Sequence, residues 1–337
     1  VNTELTTAEW QDVMRQAGEL GILQVHLSGG EPTARKDLEE ILDAAVKAGL
    51  YTNLITAGVT LTRDRMMKLA EIGLDHVQLS IQDVDPENAD RISAYKGGLA
   101  KKIEVSQWAK EAGMALTINA PIHRQNIHNV PRMIEFAIEC GAGRIEIAHV
   151  QYYAWALLNR SSLMPTRESF MTAAKQVEEA REKYKGIIVI DMVVPDYYAK
   201  FPKPCMGGWA KQILNVTPSG RVLPCHAAES ITHLQFDNVK DRPLADIWLN
   251  GDAFNKYRGT EWMKEPCRSC PRKEIDFGGC RCQAFALTGD AANTDPACSL
   301  SPMHEEWAKV AEVESHSTPP EFVYRRVGAV KVTVGGA

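Results

Sequence analysis

The sequence has no long hydrophobic run, no secretion signal and no block of basic residues. Its apolar stretches, such as 187–190, are far shorter than the roughly 20 residues that a membrane helix needs. The 38 basic residues are outnumbered by 43 acidic ones, which gives a formal net charge of −5. We therefore expect a cytoplasmic globular protein with no membrane partner and no nucleic-acid partner.

Cysteine is absent from the first 139 residues, although the chain holds eight cysteines in total. Seven of them lie at position 205 or later. A cytoplasmic chain of 337 residues, 45% of them hydrophobic, can build a core without disulfides. The clustering therefore favours a metal or iron–sulfur centre. The eighth cysteine, Cys140, stands beside Gly141 at a predicted helix end and is expected to be a small buried apolar residue.

Short apolar runs alternate with helical patterns of about ten to fifteen residues through the first half of the chain. This alternation predicts βαβ units and a parallel sheet, either closed into a barrel or open. A further short strand after the last long helix is expected to extend the sheet. The predicted strands are 23–27, 51–56, 76–81, 115–120, 144–150 and 187–194.

The composition changes near residue 195, beyond which Pro, Gly and Cys become frequent. We place a domain boundary at 195–204 and predict a β-hairpin over 213–223. The residues from 319 onward are expected to form a tail or a capping strand. The predicted domains are an α/β domain over 1–195, a small cysteine-rich domain over 205–300 and a C-terminal extension over 301–337.

Two pairs of cysteines have the spacing of metal ligands. Cys267 and Cys270 place two thiolates on one tight turn, and Cys280 and Cys282 supply a second close pair. Taken alone, these four residues are more typical of a structural zinc ribbon. Three more cysteines, at 205, 225 and 298, surround them. Two centres with four ligands each therefore need one further ligand.

Asp276 is the candidate for that ligand, since it follows Cys270 after five residues and precedes Cys280 by three. The whole pattern resembles the SPASM domain of radical S-adenosylmethionine (SAM) enzymes, in which a cysteine usually stands at this position. The resemblance covers 205–298 and implies two auxiliary iron–sulfur clusters. The matching residues are Cys205, Gly220, Cys225, Cys267, Cys270, Cys280 and Cys298. The family pattern assigns one centre to Cys267, Cys270, Asp276 and Cys298, and the other to Cys205, Cys225 and Cys280 with Cys282 as the available fourth thiolate.

A second resemblance lies at the end of the first predicted strand. The run Gly29-Gly30-Glu31-Pro32 looks like the motif that holds the ammonium group of SAM in radical SAM enzymes, whose partial (β/α)6 barrel fits the repeated units. Taken alone, the run is also an ordinary strand-to-helix turn. Its place at the carboxyl end of a parallel strand favours a ligand site. By the same reasoning, polar side chains at the barrel mouth are expected from Ser80, Gln82, Asn119 and His149, and the first three are candidate contacts to SAM. Such residues are more often satisfied caps or core polar residues.

Further strings extend the resemblance over nearly the whole chain, to the PqqE-type peptide cyclases of pyrroloquinoline quinone biosynthesis. They are 26–32, 78–83 and 123–126, together with the cysteine pattern that contains Asp276. This family implies a carbon–carbon bond between a glutamate and a tyrosine of the precursor peptide PqqA. It also implies delivery of the peptide by PqqD and an external electron donor. The auxiliary clusters would accept the electron that the coupled peptide loses.

The chain departs from this family in one respect. The Cys-x3-Cys-x2-Cys loop that holds the SAM-cleaving 4Fe-4S cluster is not found in residues 1–22, and we expect it upstream of Val1. Two alternatives stay open: a peptide maturase like the sulfatase maturases, and a non-catalytic barrel with a structural zinc domain. The one candidate catalytic residue is His226, either a proton acceptor near the substrate or a surface histidine.

Overall fold

The computed structural model describes residues 4–194 and 196–324. They divide into two compact units. The first consists of residues up to 149 together with 167–193, and the second of 150–166 together with residues from 194 onward. Residues 150–166 thus group with the second unit, which the sequence did not indicate. The functional boundaries given above stay a prediction.

The first unit is built on a parallel sheet of six strands, which follow one another across the sheet in the order of the chain. Neighbouring parallel strands joined by crossover connections are what successive βα units produce. All the predicted strands are confirmed, with small shifts at their ends. They are β1 Gln24–Leu27, β2 Tyr51–Thr56, β3 His76–Ser80, β4 Ala115–Ile122, β5 Arg144–His149 and β6 Val189–Val193.

Helices connect the strands, and local sequence explains where several of them begin and end. Thr6 caps the first helix in a reciprocal arrangement with Glu9, and Gly73 ends the third in a left-handed conformation. No helix among the described residues is long and apolar enough to cross a bilayer. The helices of this unit are α1 Thr7–Glu19, α2 Leu38–Lys47, α3 Arg63–Ile72, α4 Pro86–Ser93, α5 Gly98–Glu111, α6 Val130–Glu139 and α9 Arg167–Lys183. Between α6 and α9, the helices α7 Ala154–Leu158 and α8 Arg160–Leu163 belong to the second unit.

The sheet has one apolar and one polar face. Alternate residues such as Leu79, Ile118 and Ile145 are fully buried. On the opposite face, polar side chains from β1, β2, β3 and β5 form a hydrogen-bonded row with members His26, Asn53, Gln78 and Glu146. The Asn53 amide nitrogen lies 3.1 Å from His26 Nδ1 and donates to Gln78 Oε1 at 3.3 Å, and Gln78 Nε2 donates to Glu146 Oε2 at 3.1 Å. The alternation of the strands therefore separates the core from a polar interior.

The second unit contains the predicted hairpin, formed by β7 Asn215–Val216 and β8 Val222–Leu223. Its buried apolar residues come from short helices and turns and include Ile231, Leu244 and Phe254. The C-terminal extension contains a helix that the sequence analysis did not predict, while most of the expected tail or capping strand, 325–337, lies outside the described residues. The remaining helices are α10 Leu244–Asn250, α11 Asp252–Asn255, α12 Lys273–Asp276, α13 Arg281–Thr288 and α14 His304–His316.

Gly58, in the turn after β2, provides a test of this packing. Its φ is +75°, and a Cβ there would lie 2.8 Å from Leu79 Cδ1 and 3.3 Å from Val105 Cγ2. We expect Gly58→Ala to lower the free energy of unfolding by about 2–5 kcal/mol, from left-handed strain and overpacking together. Gly113→Ala is the matched control, because φ is +71° and no heavy atom lies within 4 Å. Equal losses in urea unfolding would contradict the close packing at Gly58.

Candidate active site and metal centres

The run Gly29-Gly30-Glu31-Pro32 follows β1 and leads into a single 3-10 turn over Pro32–Ala34. Gly29 has a φ of +129°, which excludes side chains larger than hydrogen without strain. A Cβ at Gly29 or at Gly30 would meet no heavy atom within 4 Å. The backbone at both glycines therefore borders open space that a ligand can occupy, which fits the predicted SAM site.

The Glu31 carboxylate beside this space is held by four hydrogen bonds. Oε1 accepts from the Thr33 amide at 3.1 Å and from the hydroxyls of Thr33 and Thr56 at 2.6 Å each. Oε2 accepts from the Ala57 amide at 2.8 Å. A carboxylate offers about two acceptor positions on each oxygen, so Oε2 retains one. The carboxylate is thus fixed in position and still able to accept from an ammonium group.

Ser80 and Asn119 lie side by side, because they are register partners on β3 and β4. The Asn119 side-chain oxygen is buried and has no hydrogen-bond partner among the described residues. A buried amide oxygen without a partner costs free energy, so a donor from a ligand would satisfy this position. The location fits the predicted contact with SAM, and the contact itself stays a prediction.

The expectation for His149 was wrong. Along β5, His149 lies on the same face as Ile145 and Ile147, and it is buried. Its ring packs edge-on against Phe170 of α9, with the ring centroids 5.3 Å apart. The error is one of strand parity, since Glu146 and not His149 belongs to the polar face.

Lys102 is a candidate site residue that the sequence analysis missed. It is only 5% exposed on the buried face of α5, and its Nζ donates to Gln82 Oε1 at 2.5 Å. Burial lowers the pKa of Lys102 to about 8, opposed by the negative charge of Glu31. Because an ammonium group only donates, the amide nitrogen of Gln82 must face away from it. The available signal was the position of the lysine, three residues from each of the apolar residues Leu99 and Val105 of a predicted helix.

The predicted metal ligands form two groups in the second unit, and each group contains the members that the family pattern assigned to it. One group surrounds an open pocket with an empty volume of about 330 Å³, and its members are Cys267, Cys270, Asp276 and Cys298. In the other group, the thiols of Cys205, Cys225, Cys280 and Cys282 lie close enough together to shift one another's pKa. Ligation of iron by these residues stays a prediction.

The arrangement of the first group fits a multi-iron cluster. Its members line the walls of one pocket, as the ligands of a cluster with its own sulfides do. All eight cysteines are free thiols, and Cys140 is buried as expected.

A left-handed turn carries the chain from one group of ligands to the other. Phe277, Gly278 and Gly279 follow Asp276 and have φ values of +50°, +72° and +84°. A Cβ at Gly279 would lie 2.6 Å from the Asp295 side chain, so that only glycine fits. Asp295 in turn accepts from the backbone amide of Cys280 at 2.7 Å. This turn therefore fixes the separation between Asp276 and Cys280.

Arg281 is buried between the two cysteines of the Cys-x-Cys pair and is 1% exposed. Its guanidinium donates to the carbonyls of Ala291 at 2.7 Å and Asn293 at 2.8 Å, and also to that of Gly278. It has no acidic partner among the described residues. A permanent buried charge requires an anion nearby, and iron-bound thiolates would supply it. The donor set therefore fits an anionic iron–sulfur centre.

His226 is not an isolated side chain. Its Nε2 lies 2.7 Å from the hydroxyl of Tyr153, a residue that the sequence analysis missed. The neighbouring Cys225 thiol raises the pKa of His226, and burial raises the pKa of Tyr153 to about 12. The pairing could not be read from the sequence, because 72 residues separate the two partners. Proton acceptance by His226 stays a prediction.

Comparisons with known proteins agree with this geometry. Two family models match the chain, "Radical SAM superfamily" over residues 2–137 and "Iron-sulfur cluster-binding domain" over residues 205–271. The PqqA peptide cyclase of Bradyrhizobium diazoefficiens is 58% identical over 323 residues, which cover 96% of this chain and 85% of that protein. The PqqA peptide cyclase of Methylocella silvestris is 57% identical over 332 residues, which cover 97% of this chain and 88% of that protein.

A solved structure shares the fold at low sequence identity. The crystal structure of Streptococcus suis SuiB bound to S-adenosylmethionine has a TM-score of 0.70 and 20% identity. The match covers 88% of this chain and 71% of SuiB. At this identity the likeness supports the fold alone.

Replacing Glu31 tests the proposed ammonium contact. Glu31→Gln removes the negative charge and places an amide among four donors, so we expect weaker binding of S-adenosylhomocysteine. A charge-assisted hydrogen bond worth about 1.5–3 kcal/mol corresponds to a loss of roughly 10- to 100-fold, measured by calorimetry. Glu40→Gln, at an exposed position of α2, is the control. Unchanged affinity in Glu31→Gln would place the ammonium group elsewhere.

Replacing Lys102 tests whether it orients the Gln82 amide. Lys102→Met keeps the apolar stem but removes the donor, and we expect about a 2- to 10-fold loss of S-adenosylhomocysteine affinity, the size of one net hydrogen bond. Gln82→Leu should cause a similar loss, and the double variant little more, because the two residues act together. Lys110→Met on the exposed face of α5 is the control. If the affinity losses of the two single variants add fully in the double variant, Lys102 does not act through Gln82.

Proposed function

Because this chain belongs to the PqqA peptide cyclase family of radical SAM enzymes, we propose that it joins a glutamate and a tyrosine side chain of the PqqA precursor peptide in pyrroloquinoline quinone biosynthesis. The observation that carries this proposal is the 58% identity over 96% of the chain. The predicted fold class, a partial (β/α)6 barrel followed by a SPASM domain, is confirmed by both family models and by the fold of SuiB. The same identity disfavours a sulfatase-maturase-like activity and a non-catalytic zinc protein.

The reaction replaces two carbon–hydrogen bonds by one carbon–carbon bond. When bound to a reduced iron–sulfur cluster, SAM supplies the radical that removes the first hydrogen atom from the glutamate side chain. The coupled peptide must then lose one electron and one proton before the tyrosine ring is aromatic again. The enzyme therefore needs a site that holds SAM and a site that accepts an electron.

The first unit supports the SAM site. We assign the ammonium group to Glu31 and to the open backbone at Gly29 and Gly30, because the carboxylate is held with one acceptor position free. Gln82 offers an amide nitrogen just after the end of β3, and Asn119 offers an unpartnered oxygen within β4. These residues would orient SAM without moving, since each is fixed by its own neighbours or strand.

The second unit supports the electron acceptor. Iron–sulfur clusters exchange single electrons at potentials set by their ligands, hydrogen bonds and burial. We assign one cluster to the group that lines the pocket and a second to the group of Cys205, Cys225, Cys280 and Cys282. Asp276 would give the first cluster a carboxylate oxygen, a harder and less electron-donating ligand than thiolate. This difference gives the centre a potential distinct from that of an all-cysteine site.

The partners follow from the same proposal. The substrate is PqqA, and we expect the carrier PqqD to deliver it and an external one-electron donor to reduce the SAM-cleaving cluster. Eight free thiols favour a reducing compartment, the cytoplasm.

Substitution of Asp276 separates SAM cleavage from peptide coupling. We expect Asp276→Ala to leave 5′-deoxyadenosine formation largely intact while crosslinked PqqA falls, because Glu31 and Asp276 belong to different units. The two products are counted in parallel by mass spectrometry, with PqqA and PqqD present. Glu274→Ala, an exposed acid in the same helix α12, is the control.

Asp276→Cys completes the series, because it supplies four thiolates to the same centre. We expect a stable cluster with an altered EPR spectrum and a more negative potential, since thiolate donates more charge to iron than carboxylate does. Unaltered spectra and equal crosslinking in wild type and both variants would show that Asp276 is only a loop residue. A wild-type enzyme that leaves PqqA unchanged would overturn the function.

A further inference from the structure

Arg272 lies on the wall of the pocket that Asp276 shares with three cysteines. It is the residue before α12, four positions ahead of Asp276. Its Nε donates to Asp276 Oδ2 at 3.2 Å. The Asp276 side chain is 9% exposed and that of Arg272 is 32% exposed, so the carboxylate is buried and the guanidinium reaches it from the pocket edge. Arg272 is therefore the cation that balances a buried carboxylate.

Two further contacts fix Arg272. Its guanidinium carbon lies 4.1 Å from the centroid of the Phe201 ring, which lines the same pocket. Its backbone amide donates to Cys270 Sγ at 3.4 Å. One residue thus contacts two of the four predicted ligands of a single centre, and an aromatic ring holds its side chain in place.

The Asp276 carboxylate can bind iron without giving up its present hydrogen bonds. Oδ1 accepts from the Gly278 amide at 3.1 Å, and Oδ2 accepts from Arg272. Each oxygen has two acceptor positions, so each retains one toward the pocket. Carboxylates that ligate metals are themselves commonly oriented by hydrogen bonds from neighbouring groups.

We propose that Arg272 is a positioning residue for the Asp276–iron bond, holding the carboxylate so that it binds through one oxygen. The inference rests on the proposed function, in which Asp276 is a cluster ligand. The hydrogen bond from the guanidinium also draws electron density from the carboxylate, which makes Asp276 a weaker donor to iron. Arg272 therefore raises the reduction potential of this centre through the carboxylate.

Potentiometric titration of the reconstituted holoenzyme, followed by EPR, tests this role. Arg272→Met should shift the potential of one centre to a more negative value and change its g values. Lys273→Met is the matched control, because Lys273 lines the same pocket but is not hydrogen-bonded to Asp276 among the described residues. The shift in potential should be smaller in Lys273→Met than in Arg272→Met. The potential of Arg272→Lys should lie between those of Arg272→Met and wild type. Equal shifts in Arg272→Met and Lys273→Met would overturn the inference.

A double-variant series isolates the path through the carboxylate. In an Asp276→Cys background, the effect of Arg272→Met should fall to that of Lys273→Met, whereas a full effect there would overturn the inference. If Asp276→Ala changes the spectrum and Arg272→Met does not, the inference fails while the ligand assignment stands. If Asp276→Ala changes nothing, the ligand assignment itself fails. If Arg272→Met binds less iron than wild type, the potentials of Arg272→Lys and Arg272→Gln are compared with that of Lys273→Met instead. Shifts no larger than that of Lys273→Met would then overturn the inference.

Discussion

The cysteine-rich unit depends on one buried charge. The Arg281 guanidinium donates to the carbonyl of Gly278, before it in the chain, and to those of Ala291 and Asn293, after α13. It therefore links the Gly278 turn to the segment that follows α13. Removing a cation from water is costly unless an anion compensates it. The centroid of the Trp262 ring lies 4.7 Å from the guanidinium carbon, and the neighbouring cysteines would supply the anion once they bind iron. Folding of this loop and loading of metal would then be linked equilibria.

The carboxylates of Glu31 and Asp276 accept hydrogen bonds from different kinds of donor. Among the described residues, Glu31 accepts hydrogen bonds from neutral hydroxyls and amides, so no cation is bonded directly to it and its charge can attract a cationic ligand. Asp276 has a guanidinium on one oxygen, so part of its charge is already balanced before any metal binds. A carboxylate that must attract a cation and one that must tune an electron carrier therefore differ in their neighbours.

Local patterns predicted the sheet well, since the strand positions follow from short apolar runs. The family resemblance grouped the cysteines and Asp276 as they lie in the structure, while their ligation of iron stays a prediction. What local patterns missed are contacts over long sequence distances. Lys102 meets Gln82 only because α5 packs beside the end of β3, and Tyr153 meets His226 through tertiary structure alone. His149 was misplaced because a one-residue phase difference in a strand reverses the face on which a side chain lies.

The polar row from His26 to Glu146 has a consequence for how this scaffold can diversify. Every strand from β1 to β5 carries apolar residues on one face, and a slip of one residue would drive the row into the core. Strand alignment is therefore locked from within the sheet and does not rely on the connecting segments. Segments at the carboxyl ends can therefore lengthen, shorten or change sequence while the framework keeps its dimensions.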